Sequence, residues 1–228
     1  MIYKGYTLYI RSIDKYSHTF PNPNTAHETG ILCYGGDLNP NRVIKAYLSG
    51  IFPWYNENDP ILWWSPNPRC ILELDEFKIS KSLRKTIEKE IYEIKFNADF
   101  ENVIKNCQNA PRNSDKTWLN DEMINCYIKL HKMGFAHSFE SYLDGKLVGG
   151  GYGINIGDIF CGESMFSLEN DASKVALHAL VKRLKKNDFN FIDCQIPSEH
   201  ILSLGAKTIP RNEFLIHVQN SLNNPKEF

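Results

Sequence analysis

The chain has 228 residues, 42% of them hydrophobic, which suffices for one large or two small domains with a real core. Its formal net charge of −1 excludes a global field that would gather polyanions, so any nucleic-acid contact must come from a local basic patch. No apolar run approaches the roughly 18 residues of a membrane span, and the opening MIYKGYTLYIRSIDKY lacks a signal-peptide core; a cytoplasmic protein with no membrane partner is expected.

The chain changes character near residue 68, which predicts a small N-terminal domain over 1–67 and a larger one over 68–228. The first part is rich in turns, aromatics and prolines, as in FPNPNTA, CYGGDLNPN, IFPWYNENDP and WWSPNPR. Within it NRVIKAYLSG predicts a short helix with Val43, Ile44, Tyr47 and Leu48 as its apolar stripe and Gly50 as its stop. Beyond residue 68 the elements are regular. RCILELD reads as a strand. SKSLRKTIEKEI (80–91) reads as an amphipathic helix with Leu83, Ile87 and Ile91 inward. DFENVIKNC is a second helix facing inward through Phe100, Val103, Ile104 and Cys107. NDEMINCYIKLHKMG is a third, with Asn120 as cap, Met123, Tyr127 and Leu130 as stripe, and Gly134 as stop. Asp144-Gly145 and Gly157-Asp158 then predict two tight turns joining three antiparallel strands over 137–166. ASKVALHALVKRLKK is a helix with Leu177, Leu180 and Leu184 inward. FNFIDCQIP is a buried strand, SEHILSLGAK a short helix, and a last helix lies around 211–222. The fold class is α+β.

Glu163 in FCGESMFS, and Asp193 and Gln195 in FNFIDCQIP, stand in strands whose other residues want burial. An unpaired buried carboxylate is costly, so each needs a partner or a cavity. Either the strand ends turn into solvent or a structural network, or both open on one pocket. Trp54, Trp63 and Trp64 fall within eleven residues of predicted loop, and Trp118 is the fourth tryptophan. Such indoles pin loops, or stack on bases for about 1–3 kcal/mol each. Lys78, Lys81, Arg84, Lys85 and Lys89 lie opposite the apolar stripe of their helix, as a solvated face or a phosphate-binding one. The six cysteines and seven histidines show no metal spacing, and neither a metal nor a disulfide is expected. No His adjoins Cys161 or Cys194, which argues against a nucleophilic thiol. Gly149-Gly150-Gly151 lacks the GK[ST] ending of a phosphate loop.

The order helices, antiparallel meander, helix, strand, helix resembles the N-acetyltransferase-like (acyl-CoA N-acyltransferase) fold. The runs GGDLNPNRVIKAYLSGIFPWY, DPILWWSPNPR, TWL, LHKMGFAHSFE, LVGG, FCGESMFS, ASKVAL, IDCQ and SLGAKTIPR resemble the leucyl/phenylalanyl-tRNA–protein transferases, in family order over nearly the whole chain. The resemblance implies a monomeric enzyme that works without metal or nucleotide cofactor. It moves Leu or Phe, less well Met, from charged tRNA to proteins with N-terminal Arg or Lys, marking them for bacterial N-degron degradation. By the same resemblance Trp54 and Trp118 hold the terminal adenosine, with Tyr47 and Tyr127 near it. Glu163 meets the carried α-amino group. Met165, Leu177, Leu180, Leu184 and Ile192 line the side-chain pocket. Lys81, Arg84 and Lys85 touch the acceptor stem. Asp193 and Gln195 form the pair at the reaction centre; on chemical grounds Gln195 is expected to orient the incoming amine, and Asp193, hydrogen-bonded to it, to polarise its amide and attract the acceptor's cationic residue. One departure is Gly151, where many members carry a bulky residue; it implies a larger or reshaped pocket. A rival acyl-CoA N-acetyltransferase would show a Q/RxxGxG/A loop, but FSLEND precedes ASKVAL. A non-enzymatic rival would bind charged tRNA or an Arg-peptide without making product.

Overall fold

A computed structural model describes residues 2–3, 6–7, 9–110 and 118–228; Thr117 of the TWL run lies outside the described residues. A ribbon of β1 (Ile2–Tyr3) and β2 (Tyr6–Thr7) opens the chain. β3 (Arg11–Ile13), β4 (Ile31–Gly35), β5 (Phe52–Pro53) and β6 (Leu62–Trp64) then make a four-stranded sheet ordered β3-β4-β6-β5. Helix α1 (Pro40–Tyr47) connects β4 to β5. The Asn39 side chain accepts from Asn41 N and Pro40 presets the first turn, so the sequence itself starts this helix. Gly50, at φ +72°, supplies the left-handed residue that turns the chain back.

The rest builds on β7 (Arg69–Glu73), α2 (Lys81–Glu88), β8 (Glu93–Phe96), α3 (Phe100–Asn109), α4 (Asp121–Lys132), β9 (Ala136–Leu143), β10 (Lys146–Ile156), β11 (Ile159–Ser167), α5 (Ala172–Lys186), β12 (Phe191–Gln195), α6 (Glu199–Ser203), β13 (Lys207–Ile209) and α7 (Arg211–Ser221). Its seven-stranded sheet runs β13-β7-β12-β11-β10-β9-β8. Every pairing in it is antiparallel except β11 with β12. Both faces of the sheet are covered. Ile159, Cys161 and Phe191 join the core shared with α1, α3 and α4, whereas Phe160 and Ile192 join the core under α5. Two covered faces explain why the neighbours Phe191 and Ile192, which join different cores, are both apolar and do not alternate with polar residues. Each fully buried Phe or Ile contributes about 1.5–3 kcal/mol.

Several expectations change. Trp63 and Trp64 are strand residues of β6, 0% and 6% exposed, not loop residues. A strand of three residues is too short to show a period. The helix over 80–91 ends at Glu88. Glu90 turns left-handed at φ +52°, and Ile91 leaves the apolar face to become exposed. The short strands β8 and β13 were not anticipated. Among the described residues no helix is long and apolar enough to cross a membrane.

Candidate active site

β11 and β12 run in parallel register for three pairs, Ile159 with Phe191, Phe160 with Ile192 and Cys161 with Asp193. Each then bulges at its far side. Gly153 pairs with Gly162 but Tyr152 with Ser164, leaving Glu163 as the extra residue. Asp193 pairs with Ile71 but Gln195 with Cys70, leaving Cys194 as the extra residue. A bulge bends its strand and re-aims a side chain, so the two strands part at one level. The crevice sits at the C-terminal ends of the one parallel pair described in the seven-stranded sheet, where open sheets offer ligand sites.

Glu163 fills the fork. Tyr47 Oη donates to its Oε1 at 2.7 Å, Tyr127 Oη to its Oε2 at 2.9 Å, and the two phenols lie 2.7 Å apart. Gln195 Nε2 stands 3.4 Å from the same Oε1. Burial pushes the Glu163 carboxyl up to about 7 against the pull of both tyrosine hydrogen bonds. The carboxylate therefore holds strong donors yet would gain from a further cation.

Asp193 sits behind this fork, 0% exposed. Arg69 grips it bidentately, Nε to Oδ1 at 2.8 Å and Nη2 to Oδ2 at 2.7 Å. Arg69 is itself buried between the rings of Phe52 and Phe214 and donates to Gly50 O. Asp193 Oδ1 also accepts from the backbone N–H of Gln195, at 3.0 Å. This corrects the sequence expectation on two counts. Asp193 meets Gln195 through its backbone N–H and not through the side-chain amide, and both its carboxylate oxygens are paired with Arg69 and not left for an acceptor's cation. It instead holds Gln195 in a left-handed conformation, φ +57°, which a non-glycine residue adopts only when its surroundings enforce it. Arg69 is the residue that the sequence reading missed. A charge directly before the apolar CIL of its strand is the same kind of signal that singled out Glu163.

Two recesses flank Glu163 and Gln195. One, enclosing about 200 Å³, runs under α5 and is walled by Phe139, Phe160, Met165, Leu177, Leu180 and Ile192. The other, about 280 Å³, lies beneath Trp54 and Trp118 against Phe52, Ile196 and Pro197. Trp54 is exposed, and Trp64 Nε1 donates to its carbonyl at 2.6 Å, fixing the strand that presents it. Tyr47 and Tyr127 are buried below Glu163 and line neither recess. Leu184 packs behind Leu180 without reaching the recess. Gly151 also stays outside the lining: Phe139 and Met165 cover its backbone, so the expected enlargement of the pocket does not follow. Lys81, Arg84 and Lys85 are exposed on α2, away from both recesses, and Thr86 Oγ1 ties that helix to Asp171 before α5.

Chemically, one carboxylate and one amide are shared by an apolar recess and an aromatic one. An aliphatic or aromatic side chain, an ammonium group and a flat ring can be held together there.

A family model described as "Leucyl/phenylalanyl-tRNA protein transferase" matches residues 71–219, and one described as its N-terminal domain matches residues 36–67. The chain is 58% identical over 202 residues to the leucyl/phenylalanyl-tRNA–protein transferase of Sulfurimonas denitrificans, covering 88% of each chain. It is 51% identical to that of Legionella pneumophila strain Corby, over 92% of this chain and 94% of the relative. It is 53% identical to that of Thermodesulfovibrio yellowstonii, over 89% and 83%. A solved structure of L-PGS from Bacillus licheniformis aligns at TM-score 0.38 and 16% identity, over 59% of this chain and 48% of that one.

Proposed function

The chain belongs to the leucyl/phenylalanyl-tRNA protein transferase family, and on that premise we propose how its site works. The protein is an aminoacyltransferase that uses Leu- or Phe-charged tRNA as donor and a protein N-terminus as acceptor. The carried side chain enters the recess under α5, and the terminal adenosine lies against Trp54 and Trp118. Glu163 pairs with the carried α-ammonium, and this pairing carries the reading, because Glu163 alone faces both recesses with a charge. Lys81, Arg84 and Lys85 receive the acceptor stem. The acceptors begin with Arg or Lys, and their modification marks them for degradation in the cytoplasm. The enzyme is a monomer, divided into a small domain over 1–67 and an acetyltransferase-like domain over 68–228. The splayed parallel pair β11/β12 in an otherwise antiparallel sheet supports that fold assignment.

The aminoacyl ester is already activated, so the transfer asks for no nucleotide. The acceptor's α-amine, with an ordinary pKa of about 8, is partly neutral at pH 7. Its nitrogen attacks the ester carbonyl, the C–N bond forms, and the C–O bond to the ribose breaks. The proton shed by nitrogen ends on the ribose oxygen that leaves. Gln195 is a poor base, but its amide oxygen can accept from the incoming N–H and orient it. Asp193 and Arg69 keep Gln195 in place without touching substrate. Holding ester and amine at attack distance supplies up to about 7–11 kcal/mol of such a barrier.

Transfer of labelled Phe from its tRNA to an Arg-starting peptide tests the reading. Product with that peptide and little with an Ala-starting one is expected. Binding of charged tRNA without product would leave a binding module, and equal use of both peptides would remove the Arg/Lys preference.

A further inference from the structure

We propose that Phe139 is the fixed wall that limits the size of the carried side chain. This rests on the transfer reading and deepens it. Three adjacent strands meet at one level: Phe139 of β9 and Met165 of β11 are both direct partners of Gly151 in β10. Directly opposite side chains on one sheet face ordinarily pack against each other, yet the central position here has none. A Cβ at Gly151 would stand 2.6 Å from Phe139 Cζ and 2.7 Å from Met165 Cγ. The ring tip and the thioether arm thus lean in from both sides and occupy the room above bare backbone. The Ser164 carbonyl oxygen, 2.6 Å from the same point, is backbone and cannot swing away. Volume at this level of the recess therefore comes from residues 139 and 165, and not from residue 151.

The two walls differ in stiffness. Phe139 is 2% exposed and meets Phe160 edge to face, with centroids 6.4 Å apart and planes at 68°. Phe160 is backed in turn by the stacked ring of Phe228 at 5.4 Å. Met165 is half-buried and unbranched, and such a side chain adapts to what it touches. A ring held from behind sets a limit, whereas a thioether yields. Phe139 is thereby a specificity-determining residue.

The test compares kcat/KM for Leu-tRNA and Phe-tRNA, with an Arg-starting peptide, in the wild type and in Phe139→Leu. Shortening the wall should raise the Phe-to-Leu ratio about tenfold, within the range by which apolar pockets discriminate. Phe139→Met, which replaces the rigid ring by a slightly smaller side chain that adapts to its surroundings, carries the test if the Leu variant does not fold; a shift in the same direction of about threefold is expected. A ratio unchanged within twofold, with both donors slowed alike, would make Phe139 core packing only and overturn the proposal. A wild-type protein that transfers neither residue would bring down the transfer reading first, and this inference with it.

Discussion

Glu163 pays for its position in stability. Its folded-state pKa is raised to about 7 from an ordinary 4.5, chiefly by burial. Between those values the folded protein keeps a proton that the unfolded chain has released. The contribution of this carboxyl to stability is therefore fully present below about pH 4.5 and is lost as pH climbs through about 7. Glu163→Gln keeps the shape and loses the charge. It should be more stable than the wild type at pH 8, by on the order of 2 kcal/mol, and closely matched at pH 4.5, as read by urea unfolding. Its affinity for a Phe-adenosine ester analogue should drop, and the rise in wild-type affinity as pH passes through about 7 should disappear. A Gln variant that keeps this rise would mean that some other group meets the ammonium.

At the scale of elements, α2 illustrates how a helix can act apart from the chemistry. Lys81, Arg84 and Lys85 project from it into solvent, while Leu83 anchors it. Changing the three cations to Glu should weaken tRNA binding and reduce its salt slope by about one for each lost phosphate contact. Transfer from a minimal aminoacyl-adenosine donor should stay unchanged. Equal loss with both donors would remove the helix from the tRNA surface.

The helices were legible because their caps and stripes are local: Asn120 accepts from Met123 N, and Phe100, Val103, Ile104 and Cys107 are all buried as their spacing implies. Glu163 and Gln195 were legible as polar residues in apolar strands. The bulges were not, because skipping Glu163 and Cys194 is a property of pairing between strands distant in sequence. The role of Asp193 was misread for the same reason, since Arg69 lies 124 residues away. The N-terminal sheet escaped because strands of two or three residues carry no periodicity.

The whole molecule converges on that arginine. Arg69 joins Gly50 and, in the small sheet, Phe52 to Asp193 and Phe214 in the larger layer. Tyr47 of α1 reaches across to Glu163 in the same way. Removing one member of a buried pair leaves the other uncompensated, so Arg69→Met should cost about 3–5 kcal/mol. Indole fluorescence, dominated by the N-terminal region through Trp54, Trp63 and Trp64, should still melt together with the far-UV helix signal in a single transition. Two separated melts would show that the layers are independently stable. Because one guanidinium both ties the layers and, through Asp193, props Gln195 at the fork, damage there is felt twice. A genetic screen scored on product alone would confuse a poor catalyst with a scarce one, and variants at this joint can be ranked only after yield of intact protein is divided out.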